Sequence, residues 1–188
     1  MADNAFHVTF ICGSLRKGSY SQIILDSIAT LLPADSRISS LDIGAYPHYD
    51  QDMEDAGLPD VVRAGRQQIA DSDAVIVVTP EFNHGIPGVL KNTLDWLSRP
   101  AFKSSFAGKP VFFVTHAPGP LGGVRTQSQL RETFASMLCL LPPVKEVAIS
   151  AVADKLTDGQ LTDSRTLESL QRSLQDFLRG ARLQPHYE

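Results

Sequence analysis

The stretch "DAVIVVTPEFNHGIPGVLKNTLDWLS" (residues 73–98) changes character twice. Its first part, "DAVIVVTP" (73–80), is a continuous apolar run, the pattern of a strand buried on both faces at the centre of a sheet. Next come Pro80, Gly85, Pro87 and Gly88, interleaved with polar residues. The last part, "GVLKNTLDWLS" (88–98), spaces its apolar residues as a helix does. Strand, stiff loop and helix in succession form the unit of a parallel sheet, because parallel strands need a crossover connection.

The same alternation runs outward in both directions. Upstream lie "HVTFIC" (7–12) as a strand and "SQIILDSIATLL" (21–32) as a helix stopped by Pro33. "RISSLDI" (37–43) alternates as an edge strand, and "LPDVVRAGRQQIADS" (58–72) reads as a helix. Downstream lie the strand "PVFFVTHA" (110–117) and the helix "VRTQSQLRETFASMLCLL" (124–141), which Pro142 and Pro143 stop. The strand "KEVAIS" (145–150) and the helix "SRTLESLQRSLQDFLRGA" (164–181) close the series. Five strand–helix repeats with right-handed crossovers predict an α/β fold. It is a flavodoxin-like three-layer sandwich with a five-stranded parallel sheet of order 2-1-3-4-5 and helices on both faces. In such sheets ligands sit at the carboxyl ends of the strands, so the loops after Cys12, Thr79 and His116 are the informative ones.

The 188 residues predict one domain over the whole chain, and 43% hydrophobic content is ordinary for a packed core. No apolar run approaches the ~20 residues of a membrane helix. The N-terminus lacks the basic and apolar regions of a secretory signal, which gives a cytoplasmic expectation. A net charge of -4 argues against a broad nucleic-acid surface. Cys12, ending a strand, and Cys139, inside the fourth helix, have no metal-like spacing and read as small buried hydrophobes.

The first loop, "GSLRKGSYS" (13–21), is not a Walker loop: Ser19 and Tyr20 stand where Lys and Ser/Thr are required. Leu15 breaks the GxGxxG pattern of a dinucleotide fold. What remains suits a terminal phosphate monoester. Ser14, Ser19 and Ser21 offer hydroxyls, Arg16 a charged fork, and the start of the following helix its backbone N–H groups. The alternative is a helix cap with surface serines. In the second loop, Pro80 and Pro87 stiffen the backbone and Gly85 and Gly88 permit close approach. Such a loop can lie against the edge of a flat heterocycle, with Phe82 as a wall and Asn83 as a polar contact. Lys91 and Asp95 read as a surface ion pair of small worth.

"GSLRKGSYS" together with "TPEFNHGIPGVLKNTLDW" resembles the NADPH-dependent FMN reductase family, and within it the bacterial chromate and quinone reductases. The likeness runs from about Val8 to about Leu178. It implies a flavodoxin-like fold, bound FMN, and a homodimer or homotetramer with the flavin near the interface. It implies further that Ser14, Arg16, Ser19, Tyr20 and Ser21 hold the FMN phosphate. Pro80, Glu81, Phe82, Asn83, His84 and Gly85 would line the isoalloxazine ring. The third loop, "THAPGPLGGVR" (115–125), departs from the Ser- and Gly-rich pattern of the relatives by carrying His116, Ala117 and Pro118. His116, Ala117 and Gly119 are nonetheless expected beside the flavin. His116 reads either as a proton donor to a quinone or as a satisfied histidine at a strand end.

The resemblance implies ping-pong chemistry in which NADPH or NADH gives hydride to FMN N5 and an acceptor then takes electrons in the same space. Quinones, chromate, azo dyes and ferric complexes are the acceptors it suggests. No side chain needs to be a nucleophile. Arg99 is a candidate for the nicotinamide phosphate or an anionic acceptor, or a surface arginine without a role. The alternatives are a reductase that releases reduced FMN to a monooxygenase, a flavodoxin-like electron carrier, and an added regulatory role with protein partners.

Overall fold

The computed structural model describes residues 5–182. Five parallel strands form the central sheet: β1 (His7–Cys12), β2 (Arg37–Leu41), β3 (Ala74–Pro80), β4 (Val111–His116) and β5 (Val147–Ile149). Their order is β2-β1-β3-β4-β5, as the sequence pattern predicts. The helices are α1 (Tyr20–Leu31), α2 (Gln51–Ala56), α3 (Asp60–Ala70), α4 (Gly88–Leu97), α5 (Val124–Ser136) and α6 (Ser164–Arg182).

The continuous apolar strands serve two cores at once. Along β3, Ala74, Ile76 and Val78 face one core, while Val75 and Val77 face the other. Phe112 and Val114 of β4 join the first set, and Val111 and Phe113 the second. This is the period of two that a pleated strand imposes. The first core is closed by Ile24, Leu25 and Ile28 of α1 and by Leu170, Leu174 and Phe177 of α6. The second is closed by Val62 and Ile69 of α3, Leu90, Leu94 and Trp96 of α4, and Leu130 and Phe134 of α5. Each fully buried side chain of this size contributes about 1.5–3 kcal/mol of transfer free energy. The two covered faces fix the register, because a one-residue slip would exchange the cores.

Some boundaries differ from the sequence expectation. The fourth long helix ends at Ser136, five residues before Leu141. Leu138 adopts a left-handed φ of 60°, and Leu140 then pairs with the backbone at Lys109 and Val111. The apolar tail "LCLL" (138–141) therefore extends the sheet margin, and Cys139 lies beyond the helix. Both cysteines are only half-buried, although burial still pushes the Cys139 thiol up to about 12. The second strand stops at Leu41, because Asp42 accepts from Gly44 N and starts a single tight turn at Ile43–Ala45. The sequence reading has no counterpart for α2, for the tight turn Val152–Lys155, or for the hairpin of β6 (Leu156–Thr157) and β7 (Gln160–Leu161). Among the described residues no helix is long and apolar enough to cross a membrane, and no group of three His, Cys, Asp or Glu side chains could hold a metal ion.

Candidate active site

The carboxyl ends of β1, β3 and β4 lie side by side, with Cys12 paired to Val78 and Pro80 paired to His116. The three loops that leave them form one surface. Gly13 is the joint between the first two. Its N–H donates to Val78 O at 2.7 Å, and a Cβ there would lie 2.3 Å from Thr79 Oγ1. Only glycine lets the backbone of the first loop pass Thr79 this closely.

Past that joint the first loop turns outward. Leu15, Arg16, Lys17 and Gly18 are exposed, and Gly18 takes a φ of 63° that returns the chain to α1. The structure sorts the three serines. Ser19 is the N-cap of α1, its hydroxyl accepting from Gln22 N at 3.2 Å, and it is buried. Ser21 is fully buried and bonds His116 Nε2 at 2.8 Å. Ser14, half-buried, accepts from Arg16 N at 3.3 Å. The cap reading of the sequence thus holds for Ser19, while the cations and the unpaired first N–H groups of α1 remain for an anion. Arg16 lies over the Tyr20 ring, 5.0 Å from its centroid.

The second loop is a tight turn. Phe82 N donates to Gly85 O at 3.0 Å and Gly85 N to Phe82 O at 2.9 Å. Asn83 and His84 occupy the tip with φ of 48° and 67°. Two positive φ values at a two-residue tip define a type I′ turn, and Asn and His tolerate this region better than most residues. The turn is held from behind by α5. Glu81 accepts from Arg125 N and Thr126 N at 3.1 and 3.3 Å and pairs with the Arg125 guanidinium, so its carboxylate caps the helix. Gln129 Oε1 accepts from Ile86 N at 2.9 Å, and a Cβ on Gly85 would meet that oxygen at 2.6 Å. Phe82, at 60% exposure, stands free as a wall. Nothing in the sequence pattern marks Gln129, because its partner is 43 residues away in the chain.

In the third loop, Ala117 N donates to Ile149 O and Gly119 O accepts from Ala151 N, which ties the loop to the end of β5. His116 is 4% exposed. Burial, reinforced by the positive charge of Arg16, pushes its pKa down to about 4, so the ring is neutral at neutral pH. Its Nδ1 is buried without a hydrogen-bond partner, as is Thr126 Oγ1 at the start of α5.

Arg99 is not brought to this surface. It follows the last turn of α4, roughly 15 Å of helix away from the second loop. Its Nε donates to Glu54 Oε2 at 3.4 Å, in a cluster where Arg66 and the Tyr49 hydroxyl also donate to Glu54. Burial alone would raise the Glu54 carboxyl, but the donors from Arg66, Tyr49 and Arg99 outweigh it and hold it below its ordinary value. Within this chain Arg99 is a structural partner of Glu54. Lys91 and Asp95 form the expected exposed pair on α4 at 2.5 Å.

These loops fit FMN on their own geometry. Exposed cations flank a helix start, where a phosphate belongs. Leu15, Phe82, Leu121 and Val124, four of the large apolar side chains left exposed, border the three loops. A flat ring laid there would cover this apolar surface.

Comparison with known proteins agrees. The family model of NADPH-dependent FMN reductases matches residues 6–154. The chain is 36% identical over 174 residues to a 2-hydroxy-1,4-benzoquinone reductase of a Burkholderia species, covering 92% of this chain and 94% of the relative. It is 35% identical over 174 residues to a quinone reductase of Escherichia coli, covering 90% and 92%. Its fold superposes on FerB, a flavoenzyme NAD(P)H:(acceptor) oxidoreductase from Paracoccus denitrificans, with a TM-score of 0.86 at 30% identity, over 95% of this chain and 98% of that one. On the site, the fold and these matches together, the chain belongs to the NADPH-dependent FMN reductase family.

Proposed function

We propose that the protein is an FMN-dependent NAD(P)H oxidoreductase whose principal acceptors are quinones. The observation that carries this reading is the meeting of an exposed cationic helix start with a braced, Phe-walled turn across the mouth of β1, β3 and β4. In this reading Arg16, Ser14 and the N–H groups at Tyr20 and Ser21 receive the FMN phosphate, while Ser19, whose own N–H donates to Arg16 O at 3.1 Å, holds the loop against the helix start. The backbone of Pro80, Glu81, Phe82, Asn83, His84 and Gly85 borders the ring, with His116, Ala117 and Gly119 on the other side.

Bound FMN supplies the redox chemistry, accepting hydride from NADPH or NADH and returning electrons to the acceptor. The chain's own residues bind and orient. Glu81 is committed to α5, and His116 is buried and unprotonated at neutral pH, so it has no imidazolium proton to give a quinone at the surface. Phe82 leaves an open apolar face on which nicotinamide and acceptor would take turns, which supports a ping-pong sequence. The same open face would admit chromate, azo dyes and ferric complexes as secondary acceptors. The family likeness supports a homodimer or homotetramer with the flavin near the interface, and a cytoplasmic location suits the nicotinamide donors.

Anaerobic half-reactions test the reading. NADPH or NADH should bleach the visible flavin bands, and one equivalent of 1,4-benzoquinone should restore them, with parallel double-reciprocal lines in steady state. Loss of the bleaching with both nicotinamides, or intersecting lines, would overturn it.

A further inference from the structure

His116 ends β4 and opens the third loop. The imidazole is enclosed between the first and third loops. Its Nε2 is 2.8 Å from Ser21 Oγ, joining positions 95 residues apart. Its edge meets the Tyr20 ring at a centroid distance of 6.0 Å and an interplanar angle of 84°. The other side of the story is on the surface, where the Arg16 guanidinium rests over that same Tyr20 ring at 5.0 Å. A continuous chain of contacts therefore leads from the end of β4, through the first turn of α1, to the exposed cation of the first loop. Ser21 and Tyr20 are also the residues whose N–H groups open α1.

We propose that His116 is a positioning residue for the FMN phosphate: through Ser21 and Tyr20 it fixes the start of α1 and the seat of Arg16. The neutral ring suits this role. A charged ring would stand beside Arg16 and repel the cation it is meant to seat. The second nitrogen, Nδ1, is buried without a partner, so the strut is anchored by Nε2 alone among the described residues.

This inference rests on the reading that the first loop holds the phosphate, and the test separates the two. FMN and riboflavin are titrated by fluorescence quenching into flavin-stripped parent protein, His116→Gln, His116→Leu, Arg16→Ala and Arg16→Ala/His116→Leu. Circular dichroism shows that each variant is folded. A glutamine amide reaches the position of Nε2 and can keep the Ser21 bond, whereas leucine cannot. Loss of one such hydrogen bond predicts FMN affinity about three- to tenfold weaker in His116→Leu. Riboflavin, lacking the phosphate, should change by less than about twofold, His116→Gln should stay near the parent, and the leucine change should add little once Arg16 is gone. If Arg16→Ala lowers the preference for FMN over riboflavin and His116→Leu does not, the positioning role fails while the phosphate reading stands. If Arg16→Ala leaves that preference intact, the phosphate reading itself fails and the role of His116 with it. Equal losses of FMN and riboflavin in His116→Leu, or no rescue by glutamine, would also overturn the proposal.

Discussion

The loops after β1 and β3 sit side by side at the carboxyl end of the sheet, yet they are built by opposite means. The first presents side chains: Arg16 and Lys17 are exposed, and its inner anchors, Ser19 and Ser21, lie within the first turn of α1. The second presents backbone: its Glu81 side chain faces α5, Gln129 of α5 braces it from behind, and its tip is a turn closed on itself. A phosphate asks for charge and can tolerate some play. A flat ring asks for shape, and shape requires bracing from a neighbouring helix. On the proposed reading, the two neighbouring loops divide one ligand between them.

The joint at Gly13 is where both loops can be broken together. Gly13→Ala would push a Cβ to 2.3 Å from Thr79 Oγ1 and 2.9 Å from Thr79 Cα, a backbone atom that cannot swing away. Overpacking of this kind should cost about 3 kcal/mol, the upper end for a small-to-large change in a packed site. Guanidinium unfolding curves would read it, along with loss of retained flavin. A loss below about 0.5 kcal/mol would mean that the two loops are not locked at this point.

A second effect belongs to the first and third loops alone. His116 has a folded pKa of about 4, below the unfolded value of about 6.5. Between these values the unfolded chain binds more protons. The stability contribution is therefore full above about pH 6.5 and is lost progressively as pH falls toward 4. At 1.36 kcal/mol per unit this amounts to about 3 kcal/mol. His116→Gln should flatten the profile over that window when the two flavin-stripped proteins are compared by urea unfolding. Parallel profiles would show that the imidazole is not held neutral by the fold.

The smallest expected effect sharpens the bracing of the second loop. Glu81→Ala removes the acceptor for Arg125 N and Thr126 N at the start of α5. Loss of a helix cap costs about 1 kcal/mol, which a thermal melt should register as a modest fall in midpoint. An unchanged midpoint would mean that water replaces the carboxylate without penalty and that the turn is not braced there.

Much of this architecture is legible in the chain. The continuous apolar runs of β3 and β4 announce central parallel strands, since both faces must be covered. The glycines, prolines and cations mark the loops that matter. The apolar run that follows α5 misleads, because Leu138 turns left-handed and Leu140 joins the sheet margin. The hairpin of β6 and β7 carries a readable signal, Asp158-Gly159, the preferred pair for a type I′ turn, with φ of 51° and 76°. What the sequence hides is the wiring between loops. Ser21 reads as a phosphate donor until His116 is seen bonded to it, and Glu81 reads as a ring contact until α5 is found behind it. Arg99 reads as a site residue because α4 begins at the second loop, but the length of that helix carries it to Glu54. Such contacts span tens of residues and leave no periodicity to read.

The division between a phosphate-reading loop and a ring-bracing loop is tested most directly by measuring FMN and riboflavin affinities in Arg16→Ala and Glu81→Ala side by side. Loss of a charged hydrogen bond to the phosphate predicts that Arg16→Ala weakens FMN by roughly ten- to a hundredfold and leaves riboflavin nearly unchanged. Glu81→Ala should weaken both flavins by the same factor, because the ring is common to them. The same pattern in both variants, whether phosphate-dependent or phosphate-independent, would contradict the account.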